Sequence, residues 1–250
     1  MKNEKTQFPT EEVTLPSKGL LYAKDSPLSK GVIEMKYMTA REEDILTNSN
    51  YIQKGTVIDK LLQSLIVTPI DYNDLLLGDK NAVLVAARVL GYGSEYIFEY
   101  NGEEQIIDLT KIEDKNLDEK LIPEDGKNEF HFTLPTSKKN ITFKILTHKD
   151  EISIANELKG LKKINKNSSP DLSTRMKYII TSVEGDSENK TIRNFVDTQL
   201  LARDARDLRK YMAEIQPDVD LKFEYEEQNG NLKTVSIPIG INFFWPDAEL

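Results

Sequence analysis

Residues 95–109, Glu-Tyr-Ile-Phe-Glu-Tyr-Asn-Gly-Glu-Glu-Gln-Ile-Ile-Asp-Leu, decide how the chain is read. Tyr96, Phe98 and Tyr100 alternate with polar or smaller neighbours, Asn101-Gly102 supplies the positive backbone angles of a tight turn, and Ile107 and Leu109 return. That pattern predicts a β-hairpin with one aromatic face. The string Phe-Glu-Tyr recurs at Phe223-Glu224-Tyr225, 125 positions on, again before an Asn-Gly pair, Asn229-Gly230, and an alternating run Val235, Ile237, Ile239, Ile241. Leu-Pro recurs likewise, at Leu15-Pro16 and Leu134-Pro135.

Working outward from the hairpins, the two halves follow one order. Val13 and Leu15, then Ile33, Met35 and Tyr37, read as half-buried strands. Thr39 with Glu42 forms a capping box that opens a helix. A second helix carries Val57, Ile58, Leu61, Leu62, Leu65 and Ile66 on one stripe, and a third runs from Asp79 to Leu90 with Gly91 as its left-handed end. In the second half Phe130, Phe132 and Leu134, then Ile141, Phe143 and Ile145, read as strands. Thr147 caps a helix with Asp150 and Glu151 in its first turn. One helix is expected over Leu172–Val183 and one long helix over Thr191–Ile215, closed by Pro217. The expected fold is α+β, with two similar halves, each a small antiparallel sheet with packed helices. The divisions are 1–110, a charged linker 111–129 carrying Pro123 and Gly126, and 130–250 with an aromatic tail.

Composition removes several classes of function. No cysteine is present among the 250 residues, which excludes a thiol nucleophile, a disulfide scaffold and a thiolate zinc site. Only two histidines, His131 and His148, are available, and they fall on different elements. No metal and no cofactor is expected. The net charge is −9, from 33 Lys and Arg against 42 Asp and Glu, so phosphate backbones are not generally attracted and no nucleic-acid partner is expected. The basic cluster Lys159, Lys162, Lys163, Lys166 is read as the solvated face of an amphipathic helix. No apolar run approaches the roughly 18 residues of a membrane span, and Met1–Thr6 lacks the apolar core of a signal peptide, so no membrane partner and synthesis in a cytoplasm are expected.

Each candidate for chemistry has a plainer account. His148, Asp150 and Glu151 are read as the start of a capped helix, and His131, between Phe130 and Phe132, as a surface residue. Glu42, Glu43 and Asp44 diverge by about 100 degrees per residue on a helix and cannot converge on one bond, so they are read as a solvated helix start. Gly91-Tyr92-Gly93 follows a helix rather than a strand, the wrong setting for a phosphate loop. No catalytic residue is assigned. Arg203, Arg206 and Arg209, with Asp204, Asp207 and Lys210, form a charged helix face that is either solvated or turned to a partner. Phe243-Phe244-Trp245-Pro246 is a dense terminal aromatic cluster. It either docks on its own domain, the better account, or anchors in a partner's pocket. Alternation with Ile241 turns Phe243 inward and leaves one of Phe244 and Trp245 for a second surface.

Short motifs carry a family resemblance. Leu15-Pro16-Ser17-Lys18-Gly19 followed by Glu42-Glu43-Asp44-Ile45-Leu46, the segment Ala87-Arg88-Val89-Leu90-Gly91-Tyr92-Gly93, and the ending Ile237-Pro238 with Gly240 and Phe243-Phe244-Trp245-Pro246 resemble the baseplate hub and tail-assembly proteins of T-even-type contractile phages. The resemblance implies a non-enzymatic virion component of the tail baseplate, without cofactors, partnered by other tail proteins and present in several copies of a symmetric assembly. An assembly chaperone absent from the finished particle is the first alternative, and a hydrolytic enzyme the second. Many members of that family carry cysteine pairs in the terminal hairpin that suit a zinc knuckle. The hairpin here, Phe223 to Gly230, has none and must hold by packing and turn geometry.

Overall fold

The computed structural model describes residues 9–115, 118–122, 126–165, 170–226 and 231–244. It is α+β, with eight α-helices and four small antiparallel sheets among the described residues. In the first half β1 (Thr10–Thr14) pairs antiparallel with β2 (Val32–Lys36), Val13 opposite Ile33. Three short helices follow, α1 (Ala40–Leu46), α2 (Ser49–Lys54) and α3 (Val57–Leu65), then the long α4 (Leu77–Tyr92). The hairpin β3 (Glu95–Tyr100) and β4 (Glu103–Asp108) turns through Asn101 and Gly102, both at positive φ as the Asn-Gly pair predicts.

The second half repeats this order. β5 (Phe130–Thr133) pairs with β6 (Asn140–Phe143). Helices α5 (His148–Ile164) and α6 (Asp171–Ile179) lead into β7 (Ile180–Val183), which pairs with β6. Helices α7 (Asn189–Thr198) and α8 (Ala202–Ile215) precede the hairpin of β8 (Lys222–Glu226) and β9 (Leu232–Ser236). The third strand has a vestige in the first half, a single antiparallel bridge from Met35 to Ile66, just after α3 as β7 lies just after α6. The α1–α2 pair stands where the second half has the unbroken α5. Asn48 interrupts it, its side chain accepting from the N–H groups of Asn50 and Tyr51.

Four expectations change. Helix α4 runs past Gly91 to Tyr92, and Gly93, at φ 86°, ends it; Gly91 stays helical, packed so closely that a Cβ there would press on the Met38 side chain at 2.7 Å. Residues 180–183 are strand rather than helix: Ile180 to Val183 is rich in β-branched residues and finds an open edge on β6. The helix expected over 191–215 is two helices, broken at Gln199 to Leu201, and Asp204 in the first turn of the second, α8, is held by the loop after β5. Lastly, the strand pattern of the tail stops at Ser236, and Ile241–Phe243 forms a 3-10 turn.

The two halves share one continuous core that extends from Leu15 to Phe244. They are joined by backbone bonds. The Leu77 N–H donates to Leu146 O at 3.1 Å and the His148 N–H to Leu75 O at 2.8 Å. Segment 113–115 pairs with 218–220, with the Lys115 N–H donating to Asp218 O and the Asp220 N–H to Glu113 O, both at 2.8 Å. The start of α4 lies so close to the chain after α8 that a Cβ on Gly78 would sit 1.8 Å from Pro217 O, so only glycine fits. The stretch read as a linker is therefore pinned down where it is described: Asp114 bridges Val219, Glu119 pairs with Lys18 at 2.8 Å, and the Gly126 N–H donates to Leu20 O.

Candidate functional site

The acidic residues that look most like chemistry hold the chain to itself. Glu42 is buried rather than part of a solvated helix start. Its Oε2 accepts from the Thr39 N–H at 3.0 Å and the Thr39 hydroxyl at 2.5 Å, and its Oε1 from Lys36 Nζ at 2.8 Å. Burial pushes its carboxyl upward, but Lys36 and Thr39 outweigh that and hold it below the usual range. Asp150 does the same in the second half, accepting from the Thr147 N–H and hydroxyl and from Lys144 at 2.7 Å. The two capping boxes thus share a lysine at the same spacing, six residues before the acid.

A second repeated pair lies deeper. Asp79 and Asp204 each occupy the third position of the last helix of their half, and both are fully buried. Asp79 accepts from the Ser17 N–H at 2.9 Å, the Ser17 hydroxyl at 2.7 Å and the Tyr22 hydroxyl at 2.6 Å. Asp204 accepts from the Thr136 N–H at 2.7 Å and the Ser137 N–H at 3.0 Å. Each clamps the loop that follows a Leu-Pro pair. Burial raises the Asp79 carboxyl above its usual range despite these bonds. At Asp204 burial acts the same way but the amides of Thr136 and Ser137 prevail, and the net shift is downward. Asp204 therefore does not belong to the exposed charged face of α8.

His148 is more than part of a helix start. It is buried between the halves, edge-on to Tyr72 with centroids 4.7 Å apart. Its Nδ1 is 3.2 Å from Lys80 Nζ and its Nε2 is 3.7 Å from Asp59. Asp59 in turn accepts from the Tyr72 hydroxyl at 2.9 Å and pairs with Lys80 at 2.6 Å. Burial, and then Lys80, lower the imidazole's affinity for a proton. His131 is exposed. Among the described residues no group of three or more His, Asp or Glu is placed to hold a metal, and no helix is long and apolar enough to cross a membrane.

The candidate partner-binding residues do not form one site. Phe243 and Phe244 are both fully buried. Phe243 packs edge-on against Tyr96 at 4.8 Å and against Phe244 at 5.5 Å. Phe244 is thus not left over for a second surface, because the 3-10 turn replaces strand alternation. Trp245 lies outside the described residues. Arg203 and Arg206 are exposed on α8. Arg209 borders a groove of about 280 Å³ between α6 and α8, walled by Leu77, Leu146, Leu172, Met176 and Met212. Leu172 is 59% exposed there. Sequence reasoning missed this groove because its walls come from four separate segments; the usable signal was Leu172, an apolar residue off the buried stripe of its helix. No protein-family model, curated protein or solved structure matches the chain.

Proposed function

We propose that the chain is a non-enzymatic structural or assembly component of a contractile-tailed phage baseplate, in the hub region, working by docking to other tail proteins. The baseplate part rests on the motifs at 15–19, 42–46, 87–93 and 237–246. The docking part rests on one observation, the α6–α8 groove. It offers apolar walls with an exposed leucine, and Arg209 stands at its rim beside the exposed Arg203 and Arg206. This suits an apolar anchor flanked by a carboxylate on a neighbouring tail protein. The buried carboxylates support the same reading: Glu42, Asp79, Asp150 and Asp204 are all engaged in holding loops and caps.

Mass spectrometry of purified tailed particles and of their baseplate intermediates tests the proposal. It requires peptides of this chain in one or both fractions. Absence from both overturns it. Leu172→Asp should melt like the parent yet enter these fractions poorly, and normal entry removes the groove from the account.

A further inference from the structure

We propose that the chain self-associates head to tail, the outer face of α5 in one copy seating on the outer face of the β3–β4 hairpin in the next. The inference stands on these two surfaces and does not depend on the baseplate reading.

On the hairpin's inner face Phe98 and Tyr100 pack against the second hairpin and Tyr96 against Phe243. Its outer face consists of three directly opposed pairs: Glu95 with Asp108, Ile97 with Ile106, and Glu99 with Glu104. Ile97 and Ile106 are 42% and 58% exposed. Like charges directly opposite one another across a ladder are destabilising, and an exposed isoleucine pair leaves apolar surface in water. Asp108 is met by the Thr110 N–H and hydroxyl and by Lys111 at 3.9 Å, so Glu99 with Glu104 is the pair left with its repulsion, beside the exposed isoleucines; a partner that is cationic around an apolar centre relieves the one and covers the other. The second hairpin shows the contrast. Its outer pairs are Lys222 with Ser236, Glu224 with Thr234 and Glu226 with Leu232, with no acid opposed to acid.

The complementary surface is on the same chain. Helix α5 carries three acids, and each is turned to the body and paired: Asp150 with Lys144, Glu151 with Arg175, Glu157 with Arg193. Its exposed residues include Lys149, Ile152, Lys159, Lys162 and Lys163, with no acid among them. Ile152 is 43% exposed. Lys159 and Lys163 stand one turn apart, a repulsive spacing. On a chain of net charge −9 this face is a local reversal of sign.

The spacings agree. Along the helix, Lys149 and Lys159 flank Ile152 at about 5 and 10 Å. Along the hairpin, the two acid pairs flank the isoleucine pair at about 7 Å on either side, within reach of lysine side chains. The two surfaces differ, so the contact is heterologous and builds a ring or an open row.

Sedimentation velocity on the full chain, from micromolar to about 0.5 mM, the range of weak self-association, tests this. Concentration-dependent association is expected, weakening about tenfold or more between low and moderate salt, as contacts between charged faces do. Glu99→Lys with Glu104→Lys, and separately Lys159→Glu with Lys163→Glu, should each leave a monomer with an unchanged far-ultraviolet dichroism spectrum. An equimolar mixture of the two variants should associate again, since the reversed faces then match. A parent that stays monomeric throughout, variants that associate like the parent, or a mixture that fails to recover association each overturns the proposal.

Discussion

Phe98 and Phe223 are counterparts, 125 residues apart in two similar hairpins, and they touch: their rings meet edge to face with centroids 5.1 Å apart. Tyr100 and Tyr225, the next inward positions, meet in the same way at 5.0 Å. Each half therefore covers the aromatic face that the other would leave in water. A two-stranded hairpin is marginal by itself, so each depends on the other.

Coupling between the two rings follows from that contact. Phe98→Ala should cost about 3 kcal/mol, the lower end for emptying a buried phenylalanine site. A double-mutant cycle with Phe223→Ala should give an interaction energy of about 0.5–1.5 kcal/mol. Chemical denaturation of the four proteins measures it, and strictly additive losses would show that the rings are merely adjacent.

Removing the Asp204 carboxylate takes away the partner of two part-buried amides, those of Thr136 and Ser137. Asp204→Ala should cost about 2–4 kcal/mol at neutral pH. The Asp204 carboxyl is held below its ordinary value in the folded chain, so its contribution is present above about pH 4 and fades as pH falls through the folded value. The stability gap between parent and variant should accordingly narrow in acid. Asp79 works in the opposite sense: its carboxyl is raised, so its ionisation opposes folding and that opposition lessens as pH falls.

His148 should make the fold acid-sensitive. Its folded imidazole binds a proton less readily than the unfolded one, chiefly because it is buried and then because Lys80 is close. Below about pH 6.5 the unfolded chain takes up the proton first, and stability falls. His148→Gln should flatten the stability profile between pH 7 and 5.5. An identical slope in both proteins would remove His148 as its origin.

Both terminal phenylalanines should prove structural. Phe243→Ala and Phe244→Ala should each lose about 3–5 kcal/mol, since both rings are fully enclosed. Thermal melts decide the matter: a Phe244→Ala protein that melts like the parent would mean that its ring does not support the core.

Much of this architecture is local and was legible in the residues. Asn101-Gly102 dictates its turn, Thr39 with Glu42 and Thr147 with Asp150 dictate helix starts, and the stripe from Val57 to Leu65 dictates a buried helix face. These features depend on groups within a few positions of one another, where backbone geometry alone brings them together. Tertiary structure decided what each polar or aromatic side chain is for. Asp204 looks like one more charge on a charged helix until Thr136 and Ser137 arrive from 68 and 67 positions away. His148 becomes buried only when Tyr72 and Lys80 close over it, and Ile180 to Val183 becomes strand because β6 has an edge to offer. Phe244 turns inward because a 3-10 turn ends the alternation. Sequence by itself determined where strands, turns and caps could form; burial and long-range pairing depend on which distant segments are brought together, and that only the packed chain decides.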